Sequence, residues 1–227
     1  MILSNANEAN EKITLYNQLC VHYNLVANGV YKARASINDI FGIDYLPYIV
    51  AALISFDLGR MMGKGAENRY DSRAGGFARN LLCKLQHIKP IIGHLVKIRL
   101  CDSDLSGEET NIIVAYNELA SDRENCLHQS GDKFHVGATK IMHFINPEMF
   151  LIIDSNAARS FKDSHGVTYR DSTQPGYSPE NYVKCLEYAK KDIISFGVNK
   201  FCSLETDSPM ARIYDKLSFV TGRGWLT

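Results

Sequence analysis

Residues Gly131–Phe161 read GDKFHVGATKIMHFINPEMFLIIDSNAARSF. A short turn at His135-Val136-Gly137 leads into a helix expected from about Ala138 to Asn146, and Pro147 ends or redirects it. Phe150 to Ile153 form a continuous apolar stretch suited to a buried crossing. Asp154 closes that stretch, and Asp-Ser-Asn-Ala-Ala-Arg reads as an N-cap and first turn of the next helix. A helix of that length spans ~13 Å at 1.5 Å per residue. The connector is long enough to return across it and bring Asp154 back towards Lys140.

Outward from this stretch the periodicity stays helical. Ile13, Tyr16, Cys20 and Tyr23 form one apolar stripe, and Phe77, Leu81, Leu82, Leu85 and Ile88 another. Pro47 suits the first turn of an apolar helix running to about Met62. Ser106 and Glu109 have capping-box spacing ahead of Ile112, Ile113, Tyr116 and Leu119. Ser178-Pro179 and Ser208-Pro209 are two further helix starts, with Gly197 and Gly222 as the corresponding stops. The single strand candidate is Val96 to Leu100, where apolar and basic residues alternate. The expectation is an all-α protein of about eight to ten helices, by usual helix lengths. It is read as a single domain over 1–227, built of two interleaved helical lobes.

The chain of 227 residues is 45% hydrophobic, enough for a core without disulfide staples. Its formal net charge is zero, so charge balance alone points to no partner. The distribution is more informative. Nine basic residues lie between Arg60 and Arg99 against two acids, whereas Asp102 to Glu124 carries seven acids against Arg123. Such segregation gives a neutral chain one positive face, or else two ordinary solvated helix faces.

The six cysteines form no C-x-x-C pair, so zinc and iron–sulfur spacings are absent and no cofactor is expected. No histidine pair has H-E-x-x-H or deaminase spacing either. The opening MILSNANEANEK lacks a charged-then-apolar leader, and the longest apolar run, Leu46 to Ile54, is too short to span a bilayer. Reduced thiols in a cytoplasmic, membrane-free protein, taken as a monomer, are the expected state. Two segments break the helical rhythm: Gly63 to Gly76, with four glycines, three basic residues and Tyr70, and the loop Asp163 to Gly176.

The quoted stretch resembles the helix-hairpin-helix DNA glycosylases, of the 8-oxoguanine glycosylase type. Phe134-His135-Val136-Gly137-Ala138-Thr139-Lys140 resembles the hairpin and the lysine that follows it. Ile153-Asp154-Ser155-Asn156-Ala157-Ala158-Arg159 resembles the aspartate motif. The likeness covers residues 134–161. The hairpin keeps only Gly137, and Lys140 and Asp154 stand 14 positions apart, closer than is usual in the family, which marks a divergent member.

The resemblance implies a helix-hairpin-helix-like element at about 128–146 beside a cleft for double-stranded DNA. It also implies excision of a damaged or modified base, with DNA repair or antiviral defence against hypermodified, including glucosylated, cytosines as settings. Asp154 is then the catalytic carboxylate under a sugar that develops positive charge, and otherwise a plain N-cap. Lys140 is either a Schiff-base nucleophile, which gives AP-lyase activity, or a phosphate contact.

Gly137, Ala138 and Thr139 are expected to offer helix-start amides to a DNA phosphate, aided by Arg159. The Gly63–Gly76 segment, through Lys64, Arg69, Tyr70 and Arg73, together with Arg79, is the expected backbone clamp and wedge for the gap left by a flipped base. His143 and Asn156 are candidates for the base pocket. Two other readings stay open: a non-enzymatic helical module binding DNA or protein, and a metal-dependent nuclease, for which Asp102–Glu109 looks too much like a capped helix start.

Overall fold

The computed structural model describes residues 2–3, 5–56, 74–121, 127, 134–167 and 178–226. The protein is all-helical; among the described residues there are ten α-helices and no strand. They are α1 (Ala6–Leu19), α2 (Val21–Ser36), α3 (Leu46–Phe56), α4 (Ala74–Ile92), α5 (Leu105–Ala120), α6 (His135–Ile145), α7 (Ser155–His165), α8 (Pro179–Phe196), α9 (Val198–Cys202) and α10 (Met210–Arg223). One contiguous apolar cluster draws residues from all ten. The helix α10 lies along both α7 and α1, while α5 is shared by α4, α6 and α8. No described helix is long and apolar enough to cross a membrane.

Local chemistry explains most boundaries. Ser178 caps α8 by accepting from the Asn181 amide, Pro179 takes the first turn, and Gly197 ends the helix at φ 96°. Two other starts differ from the sequence pattern. Asp104, not Ser106, caps α5, because its carboxylate reaches the Gly107 amide at 3.1 Å. Pro209 precedes α10 without a side-chain cap, and the cap comes from elsewhere: Glu148 Oε2 accepts from the Met210 amide at 3.1 Å.

The expected strand Val96–Leu100 is instead the junction of two 3-10 turns, Gly93–Lys97 and Leu100–Asp102. Val96 O and Ile98 O are taken by side chains, and Arg99 O by the Asp102 amide, rather than by a neighbouring strand. Arg34 donates to Val96 O, and the Asn146 amide group donates to Leu95 O and Ile98 O at 2.6 and 2.7 Å. The basic run is also less of a surface than its composition suggests. Lys84 is fully buried and donates to Glu118 O at 2.6 Å, and Lys89 pairs with Asp39 at 2.9 Å; Arg79, Lys97 and Arg99 remain exposed.

Gly222 does not stop α10. The helix runs on to Arg223 and ends at Gly224, φ 66°. Gly222 is required for a different reason: a Cβ there would lie 1.8 Å from Asn156 O. The backbones of α7 and α10 touch at this point. Gly137 is crowded as well, with a built Cβ 1.9 Å from the Phe134 ring, but a ring can rotate aside and a carbonyl fixed in a helix cannot. Gly222→Ala is therefore expected to cost roughly 1–3 kcal/mol by overpacking, and Gly137→Ala clearly less. Urea denaturation of both variants checks the order, which reversed values would refute.

Candidate functional site

The helix α6 begins at His135, three residues before the expected start. Its first-turn amides are therefore those of residues 135–137. The Ala138 amide is committed to Phe134 O at 2.8 Å, and Ala138 and Thr139 are both fully buried, so neither offers an amide to a phosphate. Gly137 is buried beneath the Phe134 ring. The turn expected at His135-Val136-Gly137 is instead the first turn of α6, while residues 128–133 of the expected hairpin element, and Lys64, Arg69, Tyr70 and Arg73, lie outside the described residues.

From Asn146 to Asp154 the chain is not a regular helix, yet it crosses the core: Met149, Phe150, Leu151 and Ile153 are fully buried. Buried backbone groups require partners, and side chains of three helices supply many of them. Phe150 O accepts from His143 Nδ1 at 2.7 Å, and Leu151 O from the Tyr182 hydroxyl at 3.1 Å. The Ile152 amide donates to Asp215 Oδ1 at 2.9 Å, and the Ile153 amide to Thr139 Oγ1 at 3.1 Å. The connector does run back along α6, and the Thr139–Ile153 bond sets Asp154 one residue beyond a tie to the neighbour of Lys140.

Asp154 is half-buried and caps α7, with Oδ1 accepting from the amides of both Asn156 and Ala157 at 2.9 Å. Among the described residues its Oδ2 has no hydrogen-bond partner. Lys140 is half-buried, with its ammonium 5.4 Å from the centre of the Phe56 ring. Phe56 packs on Tyr23 at 5.0 Å and on Phe144 at 5.8 Å between ring centroids, so an aromatic wall flanks the lysine. Arg159 is exposed and donates to Gly222 O at 3.2 Å; Asn156 is half-buried with its carbonyl against Gly222.

His143 departs most from its expected place. It is 0% exposed, and both ring nitrogens are engaged inside the protein: Nε2 lies 2.6 Å from the Tyr31 hydroxyl and Nδ1 against Phe150 O. A carbonyl can only accept, so Nδ1 carries the proton and Tyr31 donates to Nε2. His143 supports the connector from behind and does not line a groove. Burial, then the nearby Arg212 cation, hold its pKa down at about 3.

Behind the connector lies a buried polar set that sequence reading missed. Arg212 is 3% exposed and Asp215 5% exposed. The Arg212 guanidinium donates to the Tyr16 hydroxyl and to Asn24 Oδ1, both at 3.0 Å, and lies 5.0 Å from the Tyr16 ring centre. Among the described residues no carboxylate pairs with it directly. Burial lowers the Arg212 pKa, but the surrounding Tyr16, Tyr31 and Asp215 outweigh that and hold it above its ordinary value. Burial pushes the Asp215 carboxyl well up, with Arg212 pulling it back. Asp215 Oδ2 is 3.3 Å from His143 Nδ1, but that proton is directed at Phe150 O, so the contact is electrostatic rather than a formed hydrogen bond. In the sequence these charges interleave with the stripe Met210, Ile213, Leu217 and Val220 and read as a solvated face; nothing local marks them as buried.

No family model, characterised protein or solved structure matches this chain. Among the described residues no group of three or more histidines, cysteines and acids could hold a metal ion.

The His143–Asp215 pair makes a signed prediction. Folded His143 stays neutral down to about 3 whereas the unfolded residue protonates near 6.5. The unfolded state then holds the extra proton, and stability falls as pH drops through that interval. Folded Asp215 keeps its proton above the ordinary 3.8, so its contribution falls as pH rises. Above pH 3.8 the two slopes oppose each other. Relative to the parent, Asp215→Asn steepens acid destabilisation below pH 6.5, and His143→Gln makes stability fall with rising pH. Urea denaturation across that interval decides; three parallel curves would refute the assignment.

Proposed function

We propose that the protein is a DNA glycosylase that excises a damaged or modified base from double-stranded DNA. The observation that carries this reading is the state of Asp154. It caps α7 with one oxygen, leaves the other without a partner among the described residues, and sits on a connector tied to the helix that bears Lys140. A carboxylate so placed stabilises the positive charge that builds on a deoxyribose as its glycosidic bond breaks. The half-buried Lys140, close to Phe56, is the candidate for the attacking amine of a lyase step or for a phosphate contact. Half-buried Tyr23 and Phe56, backed by the fully buried Phe144, supply aromatic surface of the kind on which an extruded base stacks. Exposed Arg79 and Arg159 fit backbone contacts. The likeness of residues 134–161 to the helix-hairpin-helix glycosylases points the same way.

Asp154→Asn separates the two uses of the side chain. Asparagine is as good an N-cap as aspartate, so α7 keeps its cap while the charge is lost. Fold and DNA affinity are expected to persist, with base release falling by at least about 10²-fold, a typical loss for one electrostatic stabiliser. Release is scored as alkali-labile abasic sites on duplexes carrying 8-oxoguanine, alkylated, mismatched or glucosylated bases. Borohydride trapping of wild type but not Lys140→Gln assigns the amine as nucleophile. Equal strand cleavage by the wild type and Asp154→Asn would sink the glycosylase reading, and intact DNA with retained affinity would leave a helical binding module.

A further inference from the structure

We infer that Thr139, Tyr182 and Asp215 are positioning residues whose side chains hold the 150–153 connector so that the Asp154 carboxylate is fixed in place; the catalytic consequence rests on the function proposed above. None of the three is exposed, and none reaches Asp154 itself. Thr139 and Tyr182 are 0% and Asp215 5% accessible, and they come from α6, α8 and α10 respectively. Each meets a different backbone group of three consecutive residues: Tyr182 the Leu151 carbonyl, Asp215 the Ile152 amide and Thr139 the Ile153 amide. The next residue is Asp154.

A helix N-cap at the surface needs no such scaffold, since water satisfies an irregular approach. Here three polar groups, one of them a carboxylate, are drawn out of water and spent on one short segment. The ties also come from different helices. The connector is gripped by α6 and by α10, and α10 in turn meets α7 backbone to backbone at Gly222. Asp154 therefore lies between two fixed bodies, the pinned connector before it and α7 after it. Thr139 is suited to its place because its hydroxyl proton is already given to Val136 O at 2.9 Å, which turns the oxygen's lone pairs towards Ile153.

Two near-isosteric variants test this without emptying the core: Thr139→Val, which deletes the acceptor for Ile153, and Tyr182→Phe, which deletes the donor to Leu151. Amide exchange is read by NMR on the folded full-length protein, and base release on the substrate the wild type cleaves best. In Thr139→Val the Ile153 amide, and with it the Asn156 and Ala157 amides held by Asp154, are expected to exchange at least ~10-fold faster, as for a locally loosened segment. Tyr182→Phe is expected to loosen the same Asn156 and Ala157 amides. In both, kcat falls by about 10- to 10²-fold, the scale of a small misplacement of a catalytic group, with KM for DNA unchanged. Thr139→Ser, which restores the acceptor, returns both readouts to wild type.

Unchanged Asn156 and Ala157 protection in both variants overturns the positioning role, and so does loosened protection with unaltered kcat. If those amides loosen while the wild type releases no base from any duplex, the mount stands and the glycosylase reading falls.

Discussion

An irregular stretch of backbone through the middle of a helical core must find partners for its amides and carbonyls without a ladder to supply them. Residues 146–154 face that constraint, and much of the molecule is arranged around it. Their polar groups are met by Leu100 N and Ala211 N on the carbonyls of Glu148 and Pro147, and by His143, Tyr182, Asp215 and Thr139 further along. Asn146 and Glu148 return the service, closing the 3-10 turns and the start of α10. One segment thus joins α6, α8, α10 and the 93–102 region. Leaving any one of these buried groups unpaired carries the full desolvation cost of that group, of order 1–3 kcal/mol, so the ties reinforce one another.

What the sequence made legible follows from how local each signal is. Helical periodicity, the Ser178-Pro179 start and the Asp154 cap are decided within a few residues, and the structure agrees with them. The reversal of the connector onto α6 was a matter of chain reach and also holds. Two of the differences share a cause, a partner far away in the sequence. Val96–Leu100 alternates like a strand, but its partners are Arg34 and Asn146, 62 and 48 positions away, which no local window includes. Gly222 has the spacing of a helix stop, yet its lack of a side chain answers a carbonyl on another helix. The start of α6 differs for a local reason: Gly137 has the pattern of a turn glycine, but it lies inside the first turn and admits the Phe134 ring against it.

Arg212 and Asp215 show the limit most clearly. A helix is ordinarily charged where it meets water, so arginine, aspartate and Lys216 beside an apolar stripe suggest a solvated face. In α10 all three are buried, because the helix has α7 along one side and α1 along another. The burial is affordable only through long-range polar contacts: Tyr16 and Asn24 for Arg212, Ile152 for Asp215, Asn17 and Glu205 for Lys216. Cation and carboxylate offset each other across the compartment without touching, which leaves the carboxylate available to the connector.

The placement of Asp154 follows from these constraints and bears on the chemistry proposed for it. An N-cap is among the few positions where a carboxylate can be half-buried at little cost, because the helix start supplies amides that would otherwise lack partners. Two amides on one oxygen leave the other oxygen's direction fixed but its lone pairs unspent. A carboxylate on a flexible loop would be as charged but would have to be oriented anew for each encounter, and that ordering cost is what preorganisation removes. The rigid approach from the connector and the backbone contact of α7 with Gly222 restrict the same side chain from both ends of the chain. Asp154 also holds two amides on one oxygen, whereas Asp104 caps α5 through the Gly107 amide.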